Sequence, residues 1–487
     1  MELKDLLKKV AVLNQINFNE KVEVTAIAFD SRKVTQGTLF VAQKGVHVDG
    51  HQYISKAIDL GTNVIVCEEM PPSIVDEVVY LQVKNANEAL AMLAANFYDH
   101  PSEKLKLVGV TGTNGKTTVA SLLYQLFQLL GYKTGLLSTV KVVVDKQEFT
   151  ATHTTPDSLA INMYMSAMVK AGVDYCFMEV SSHGIHQERT FGLDFNGGVF
   201  TNITHDHLDY HKTFSEYRDV KKSFFDNLSK SAFALTNTDD KNGMVMLQNT
   251  KATKKSYSQK TLADYKVRIL EKSFSGMLLQ INQHEVWVQL VGGFNASNLG
   301  AIYGVACELG VDEMELLTAL SQLKSVDGRF QYQVSKTGIV SVVDYAHTPD
   351  ALKNILSTIK EMVSTSVNII TVVGCGGDRD KTKRPKMAAI SAELSTQVIL
   401  TSDNPRTEDP TSILEDMEAG ITVEKAHKVL TISDRKQAIK TACKLAKKDD
   451  VVLVAGKGHE TYQEVNGQRT HFDDKEILIE TFETLNK

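Results

Sequence analysis

The residues with the clearest chemical meaning lie near position 110. Residues 108–118 read Val-Gly-Val-Thr-Gly-Thr-Asn-Gly-Lys-Thr-Thr. An apolar strand, a glycine turn and a helix start follow one another in the order that cradles phosphate. Backbone N–H groups and the helix dipole converge on the anion. Lys116 is placed for the β/γ-phosphates, and the Thr117 hydroxyl for Mg²⁺. The strict spacing G-x₄-G-K-[ST] is not met, because Val110 holds the first glycine position and the glycine is Gly112. A tight turn alone does not need Gly-Lys-Thr at a helix start, so a nucleotide is expected. Such a loop names the nucleotide and not the reaction. Motors, kinases, switches and ligases all remain open.

Downstream, Glu179 ends the apolar run Tyr175–Val180 and precedes Ser181-Ser182-His183-Gly184. A carboxylate at a strand end beside a phosphate loop suits Mg²⁺. His205, His207 and His211 crowd the next polar stretch. They are zinc-ligand types, but with no neighbouring cysteines and a phosphate loop upstream, a Mg²⁺–phosphate site is the better expectation. Lys221 sits in a helical pattern and reads, on its own, as a solvated lysine. Further on, four polar segments each follow an apolar strand: Asp344–Pro349, Gly374–Asp380, Asp403–Arg406 and Ala455–Glu460. Ligands collect at such carboxyl ends. G-x-G-x-x-G fails at Arg379, which disfavours a dehydrogenase. Together the four loops fit a pocket for a zwitterion.

These segments need elements to hold them. The 487 residues suggest about three domains. The expected fold is α/β in three parts. Residues 1–103 form a small N-terminal domain, with strands at 24–30, 38–42, 63–67 and 80–83. Residues 104–330 form a central phosphate-loop domain on a parallel sheet, with an antiparallel insertion over 267–290. Residues 331–487 form a Rossmann-like doubly wound domain with strands at 339–344, 368–374, 397–401, 428–432 and 451–455. Composition is that of a globular protein, 43% apolar and 23% charged. The net charge of −6 argues against non-specific nucleic-acid binding. Five scattered cysteines without a CxxC pair read as reduced, buried thiols. No apolar run reaches membrane-spanning length and no signal-peptide pattern opens the chain, so a cytoplasmic protein is expected.

The segments taken together resemble one family. Thr111–Thr118, Glu179–Gly184, Asp206–Asp209, Asn295–Asn298, Gly328-Arg329, Asp344–Pro349 and Gly376–Asp380 look like the Mur ligases, in order and over almost the whole chain. These are ATP-dependent amino-acid-adding enzymes of peptidoglycan precursor synthesis. Asp403-Asn404-Pro405-Arg406 looks like the motif of members that add meso-diaminopimelate. Lysine-adding members usually lack that arginine.

The resemblance implies a set of roles. The phosphate loop (Gly112, Thr113, Asn114, Gly115, Lys116, Thr117, Thr118) would hold ATP with Asn298, Arg329 and Asp344. Ser31 would meet the UDP end of a UDP-muramoyl-dipeptide, and Thr154, Thr155, Ser181, Gln187 and Arg189 its peptide end. Arg384, Asp403, Asn404, Pro405, Arg406, Gly456 and Glu460 would line the amino-acid pocket. Lys116, Lys221, His207 and Glu179 would be catalytic. Thr117, Glu179, His207 and Lys221, the last as a carbamate, would serve Mg²⁺. The implied context is cell-wall synthesis, cell shape and cell division, in a monomer with small-molecule substrates only. Phe330 and Val220 stand where methionine and alanine are common, and neither carries a role. A lysine-adding sister, a folylpolyglutamate synthetase and a nucleotide switch remain alternatives. Arg406 and Asp30-Ser31-Arg32 favour the diaminopimelate reading over the two sister ligases.

Overall fold

A computed structural model describes residues 1–45 and 48–487, apart from the side chains of Leu208 and Asp209. The Asp209 position of the histidine-rich motif therefore lies outside what can be described. Three main sheets follow one another along the chain. The first has five strands in the order Val12–Ile16, Val79–Val83, Val64–Cys67, Thr38–Val41, Ala26–Ala28. Its first strand was not anticipated. It is an edge strand with little buried surface, so its sequence carries no apolar alternation.

The second sheet has eleven strands. Lys106–Thr111 lies near its centre, parallel to Tyr175–Glu179 on one side and Gly197–Phe200 on the other. Five of its six residues are buried, as expected where helices cover both faces of a parallel sheet. The sheet is mixed. At one end Thr134–Leu137, Lys141–Val144 and Gln147–Thr150 pair antiparallel. At the other, Tyr265–Ser273, Gly276–Ile281 and His284–Val288 form an antiparallel meander. The expected insertion is thus an extension of the main sheet, joined through Tyr257↔Tyr265 and Ser258↔Lys266.

The helix Lys116–Leu129 follows the central strand and buries Val119, Leu122, Leu123 and Leu126, one face at helical spacing. It ends where Gly131 takes φ +89°, with Tyr132 N–H reaching back to the Phe127 carbonyl. The third sheet has the order Gln331–Val334, Val340–Asp344, Val451–Ala455, Ile369–Cys375, Gln397–Ser402, Val429–Thr431. Only the first strand is antiparallel. A hairpin, Tyr462–Val465 with Gln468–His471, stands beside it. Cys67, Cys176, Cys375 and Cys443 are buried free thiols and Cys307 is partly buried, as the spacing suggested. Among the described residues no helix is long and apolar enough to cross a membrane.

Candidate active site

The carboxyl ends of the second and third sheets face a shared cleft of about 940 Å³. Residues 113–118, Thr154, Glu179, Asp206, His207, Asn298, Arg329, Asp344, Asp403, Asn404, Arg406, Gly456 and Glu460 all line it. The phosphate loop is shaped by its neighbours. Gly112 has φ +151°, and a Cβ there would sit 1.9 Å from Thr201 Oγ1. Gly115 has φ +90°, and its Cβ would fall 2.8 Å from Asn298 Oδ1. Glycine is needed at both positions because the backbone is left-handed and the space is filled. Thr113 N–H donates to the Asn202 carbonyl (2.7 Å), Asn114 N–H to Asn202 Oδ1 (2.9 Å), and Thr201 Oγ1 to the Asn114 carbonyl (2.6 Å). Thr201 and Asn202 were missed in the sequence. Their signal was the position just past an apolar strand.

Lys116 Nζ donates to the Gly112 and Thr113 carbonyls, both at 2.9 Å. Thr117 Oγ1 accepts from Arg329 Nη2 (3.0 Å) and donates to Glu179 Oε2 (3.0 Å). Glu179 Oε1 accepts from Thr139 N–H at 2.7 Å. Both oxygens of this fully buried carboxylate are thereby satisfied. The residues after Glu179 cluster as well. Thr155 Oγ1 donates to the Glu179 carbonyl and accepts from Ser181 N–H. Ser181 Oγ caps the next short helix at Gly184 N–H, and Arg189 bonds the Thr155 carbonyl and Gln187 Oε1. Thr154 Oγ1 accepts from Thr139 Oγ1.

Lys221 is not solvated. Its side chain is 1% exposed, and Nζ donates to the Gly112 carbonyl (2.9 Å) and Thr111 Oγ1 (3.4 Å). The Tyr217 ring lies 4.9 Å beneath it. Burial, then the Lys116 charge, push its amine well below the usual lysine range. Tyr217, also missed, donates or accepts at Thr113 Oγ1 (3.0 Å) and so ties this helix to the loop. Nearby, His207 Nε2 lies 3.4 Å from Asp206 Oδ2, and its ring packs edge-on to His183 at 4.9 Å. Desolvation keeps the His207 imidazole neutral against the pull of Asp206. His205 is exposed and faces Asp380 at 3.7 Å. Among the described residues no set of three His, Cys, Asp or Glu side chains could close on a metal by itself.

The third sheet completes the cleft. Phe330 N–H donates to Asp344 Oδ2 (2.7 Å), and the Arg329 guanidinium stacks on the Tyr345 ring at 4.5 Å. Burial raises the Asp344 carboxyl. Asn114 Nδ2 reaches Asp350 Oδ2 (3.2 Å), a second link between the sheets besides Arg329–Thr117. Arg406 has a left-handed backbone, φ +52°, and its Nη1 donates to the Gly377 carbonyl at 2.7 Å. The hairpin holds that backbone. Arg406 N–H donates to the Glu464 carbonyl, and Asn466 N–H to the Arg406 carbonyl. Asn404 Nδ2 donates to Glu460 Oε2 at 2.7 Å, and Lys457 Nζ to Asn404 Oδ1 at 2.9 Å.

Two expected pocket residues lie elsewhere. Arg384 is buried behind the glycine loop, its guanidinium taken by Glu408 (2.9 Å) and Asp416 (2.9 Å) and touching the Gly376 carbonyl. A buried guanidinium needs such partners, so it braces the loop from behind. Pro405 is buried too, its carbonyl held by Glu408 N–H. Ser31 sits in the first sheet's unit, buried next to the exposed Arg32–Asp30 pair, and is outside this cleft.

Known proteins resemble the whole chain. Descriptions of the Mur ligase middle domain, the Mur ligase glutamate ligase domain and the Mur ligase family catalytic domain match residues 110–306, 328–458 and 23–98. A UDP-N-acetylmuramoyl-L-alanyl-D-glutamate–2,6-diaminopimelate ligase from Parabacteroides distasonis is 55% identical, over 99% of both chains. The enzyme of the same name from Cytophaga hutchinsonii is 53% identical over 100% of both. A solved structure of that enzyme superposes with a TM-score of 0.70 at 30% identity, covering 100% of this chain and 99% of its own. With this identity spread over the full length of both chains, and with the phosphate loop and the four strand-end loops meeting in one cleft, the protein belongs to the Mur ligase family.

Proposed function

We propose that this chain is an ATP-dependent ligase that joins an amine of meso-2,6-diaminopimelate to the D-Glu carboxyl of UDP-N-acetylmuramoyl-L-Ala-D-Glu. The observation that carries the reading is the shared cleft. Lys116 and Thr117 line it together with Asp403, Asn404 and Arg406, which supports a phosphoryl donor and an amine meeting at one carboxyl group. The names of relatives 53–55% identical support the choice of substrates.

The chemistry fits the side chains. A free carboxylate is a poor electrophile. Transfer of the ATP γ-phosphoryl group to its oxygen makes an acyl phosphate, with ADP leaving. The diaminopimelate amine then attacks the carbonyl carbon, and phosphate departs as the amide forms. Catalysis of the first step is positioning and charge neutralisation. Lys116, curled over its own loop, can turn to the β/γ-phosphates, and Arg329 adds a second cation beside Thr117. Asn298 and Asp344 line the same part of the cleft as Thr113 to Thr118, and Gly112 shapes the loop behind them.

The Thr117 hydroxyl and the Glu179 carboxylate, 3.0 Å apart at a helix start, are hard oxygen donors that suit Mg²⁺ shared with phosphate. His207 and a carbamate on Lys221 would hold a second ion. Bound there, Mg²⁺ supplies neutralising charge to the transferring phosphoryl group. Lys221 has what carbamylation needs. Burial lowers the amine well below the usual lysine range and so favours the free base, whose lone pair attacks the carbon of CO₂; loss of one proton then leaves an anionic carbamate.

The remaining roles complete the proposal. Thr154, Thr155, Ser181, Gln187 and Arg189 hold the muramoyl-dipeptide beside Glu179, and Ser31 meets its UDP end. Asp403, Asn404, Arg406, Gly456 and Glu460 hold diaminopimelate, while Arg384 and Pro405 shape that loop. Residues 1–103, 104–330 and 331–487 act as the UDP-substrate, ATP and amino-acid domains. The working unit is a cytoplasmic monomer serving cell-wall growth, cell shape and division. Turnover of UDP-muramoyl-dipeptide and ATP with diaminopimelate, followed by mass spectrometry of the product, tests the reading. Turnover with lysine and not diaminopimelate would overturn it.

A further inference from the structure

Lys457 is fully buried between the amino-acid loops. Its side chain is 0% exposed, so it cannot touch a substrate in the cleft. It lies between two loops that do line the cleft. Nζ donates to Asn404 Oδ1 (2.9 Å) in one loop and to Glu460 Oε2 (3.3 Å) in the other, and stands 3.9 Å from Asp403 Oδ1. The Tyr462 ring covers it at 5.5 Å. Asn404 is shared further, since its Nδ2 also donates to Glu460 Oε2 and its Oδ1 accepts Glu464 N–H.

A buried ammonium is costly unless paired, and this lysine has two hydrogen-bond acceptors and a second carboxylate at ion-pair distance. The same two strand ends are also tied from beneath. Arg435, in a fully buried pair with Asp474, donates to the Ala455 and Ser402 carbonyls. Arg435 thus fixes backbone, while Lys457 fixes the side chains that face the substrate.

We infer that Lys457 is a positioning residue for the amine substrate: it holds Asp403, Asn404 and Glu460 in one arrangement and supplies the counter-charge that lets two carboxylates share a small pocket. The inference rests on the proposed activity and adds a specificity device to it. With Lys457 present, the trio of Asp403, Glu460 and Lys457 carries a single net negative charge, which a substrate ammonium matches, while Arg406 faces the substrate's far carboxylate. Without it, two carboxylates face each other unscreened and drift apart or share a proton.

The test is a double-mutant cycle in the full chain, Lys457→Met, Glu460→Gln and both together. Steady-state ADP release is measured with each substrate varied in turn. Lys457→Met is expected to raise the KM for diaminopimelate at least tenfold, with kcat within threefold and the KM values for ATP and the UDP-substrate within twofold. In the Glu460→Gln background, where the carboxylate pair no longer exists, the same change should cost at most threefold. This double variant removes one charge of each sign, so it also serves where the single variant folds poorly. An unmoved KM for diaminopimelate, an equal loss in every constant, or the same penalty in both backgrounds would overturn the role. The unsubstituted chain is assayed alongside. If it makes no amide with diaminopimelate, the proposed activity itself fails, and the role of Lys457 with it.

Discussion

Arg406 allows a prediction with a size. Its guanidinium lines the cleft, and one Nη is spent on the Gly377 carbonyl at 2.7 Å. The other donors are free to grip the distal carboxylate of diaminopimelate as a fork. Hydrogen bonds to charged groups contribute about 1.5–3 kcal/mol each. Arg406→Lys keeps a cation but loses one prong of the fork, which at about 1.4 kcal/mol per tenfold raises KM roughly 10- to 100-fold. Arg406→Ala loses both prongs, for a rise of roughly 100-fold or more. The left-handed backbone, φ +52°, is pinned by the hairpin in both variants, so the loop should keep its path. The reacting amine is at the other end of the substrate, so kcat should stay within a few-fold. Lysine has no distal carboxylate, and its poor turnover should be unchanged in Arg406→Lys. The assay is ADP release against diaminopimelate concentration with the other substrates saturating. A KM within threefold of the parent in Arg406→Lys would show that the fork is not used.

The other predictions are briefer. Lys221→Ala should abolish turnover, with partial rescue by formate or acetate, and the parent should lose activity in CO₂-depleted buffer; full activity in the variant would exclude a carbamate. Gly112→Ala places a methyl against Thr201 Oγ1 and should weaken ATP binding by at least an order of magnitude, read by calorimetry, with a lowered melting temperature from the same clash. Asp474→Asn leaves the buried Arg435 charge half-paired and should destabilise the C-terminal unit by about 3–5 kcal/mol, read by urea unfolding. A loss under 1 kcal/mol would contradict that pairing as structural.

The phosphate loop was legible because its signal is local: Gly112, Gly115, Lys116 and Thr117 follow one strand within a few residues. Glu179 was legible for a similar reason, since an apolar run led into a single carboxylate. Lys221 was not, although the helix held a clue. Tyr217, Lys221, Phe224 and Phe225 fall at i, i+4, i+7 and i+8 on one buried face. The lysine was read by its charge and not by its spacing. Arg384 is a different case. The family resemblance implied a pocket contact, but Glu408 and Asp416, from a later helix and its approach, occupy its guanidinium. The loop that carries Lys457 was legible in the sequence, but the role of the lysine was not. Asp403 and Asn404 come from another loop and the lysine's cover from a hairpin, and only the folded sheet brings them together. The meander at residues 265–288 was seen as strands, but its join to the central sheet rests on two residue pairs that no pattern announces.

The account stands on one claim, that ATP is used to make a carboxyl reactive and an amine from the C-terminal unit takes it. Transfer of an oxygen label from carboxylate to phosphate tests this most directly. With [¹⁸O]-carboxylate UDP-muramoyl-dipeptide, ATP and diaminopimelate, the account requires one ¹⁸O to appear in the released phosphate for each amide formed. Phosphate free of ¹⁸O, or ADP formed without amide, would contradict it.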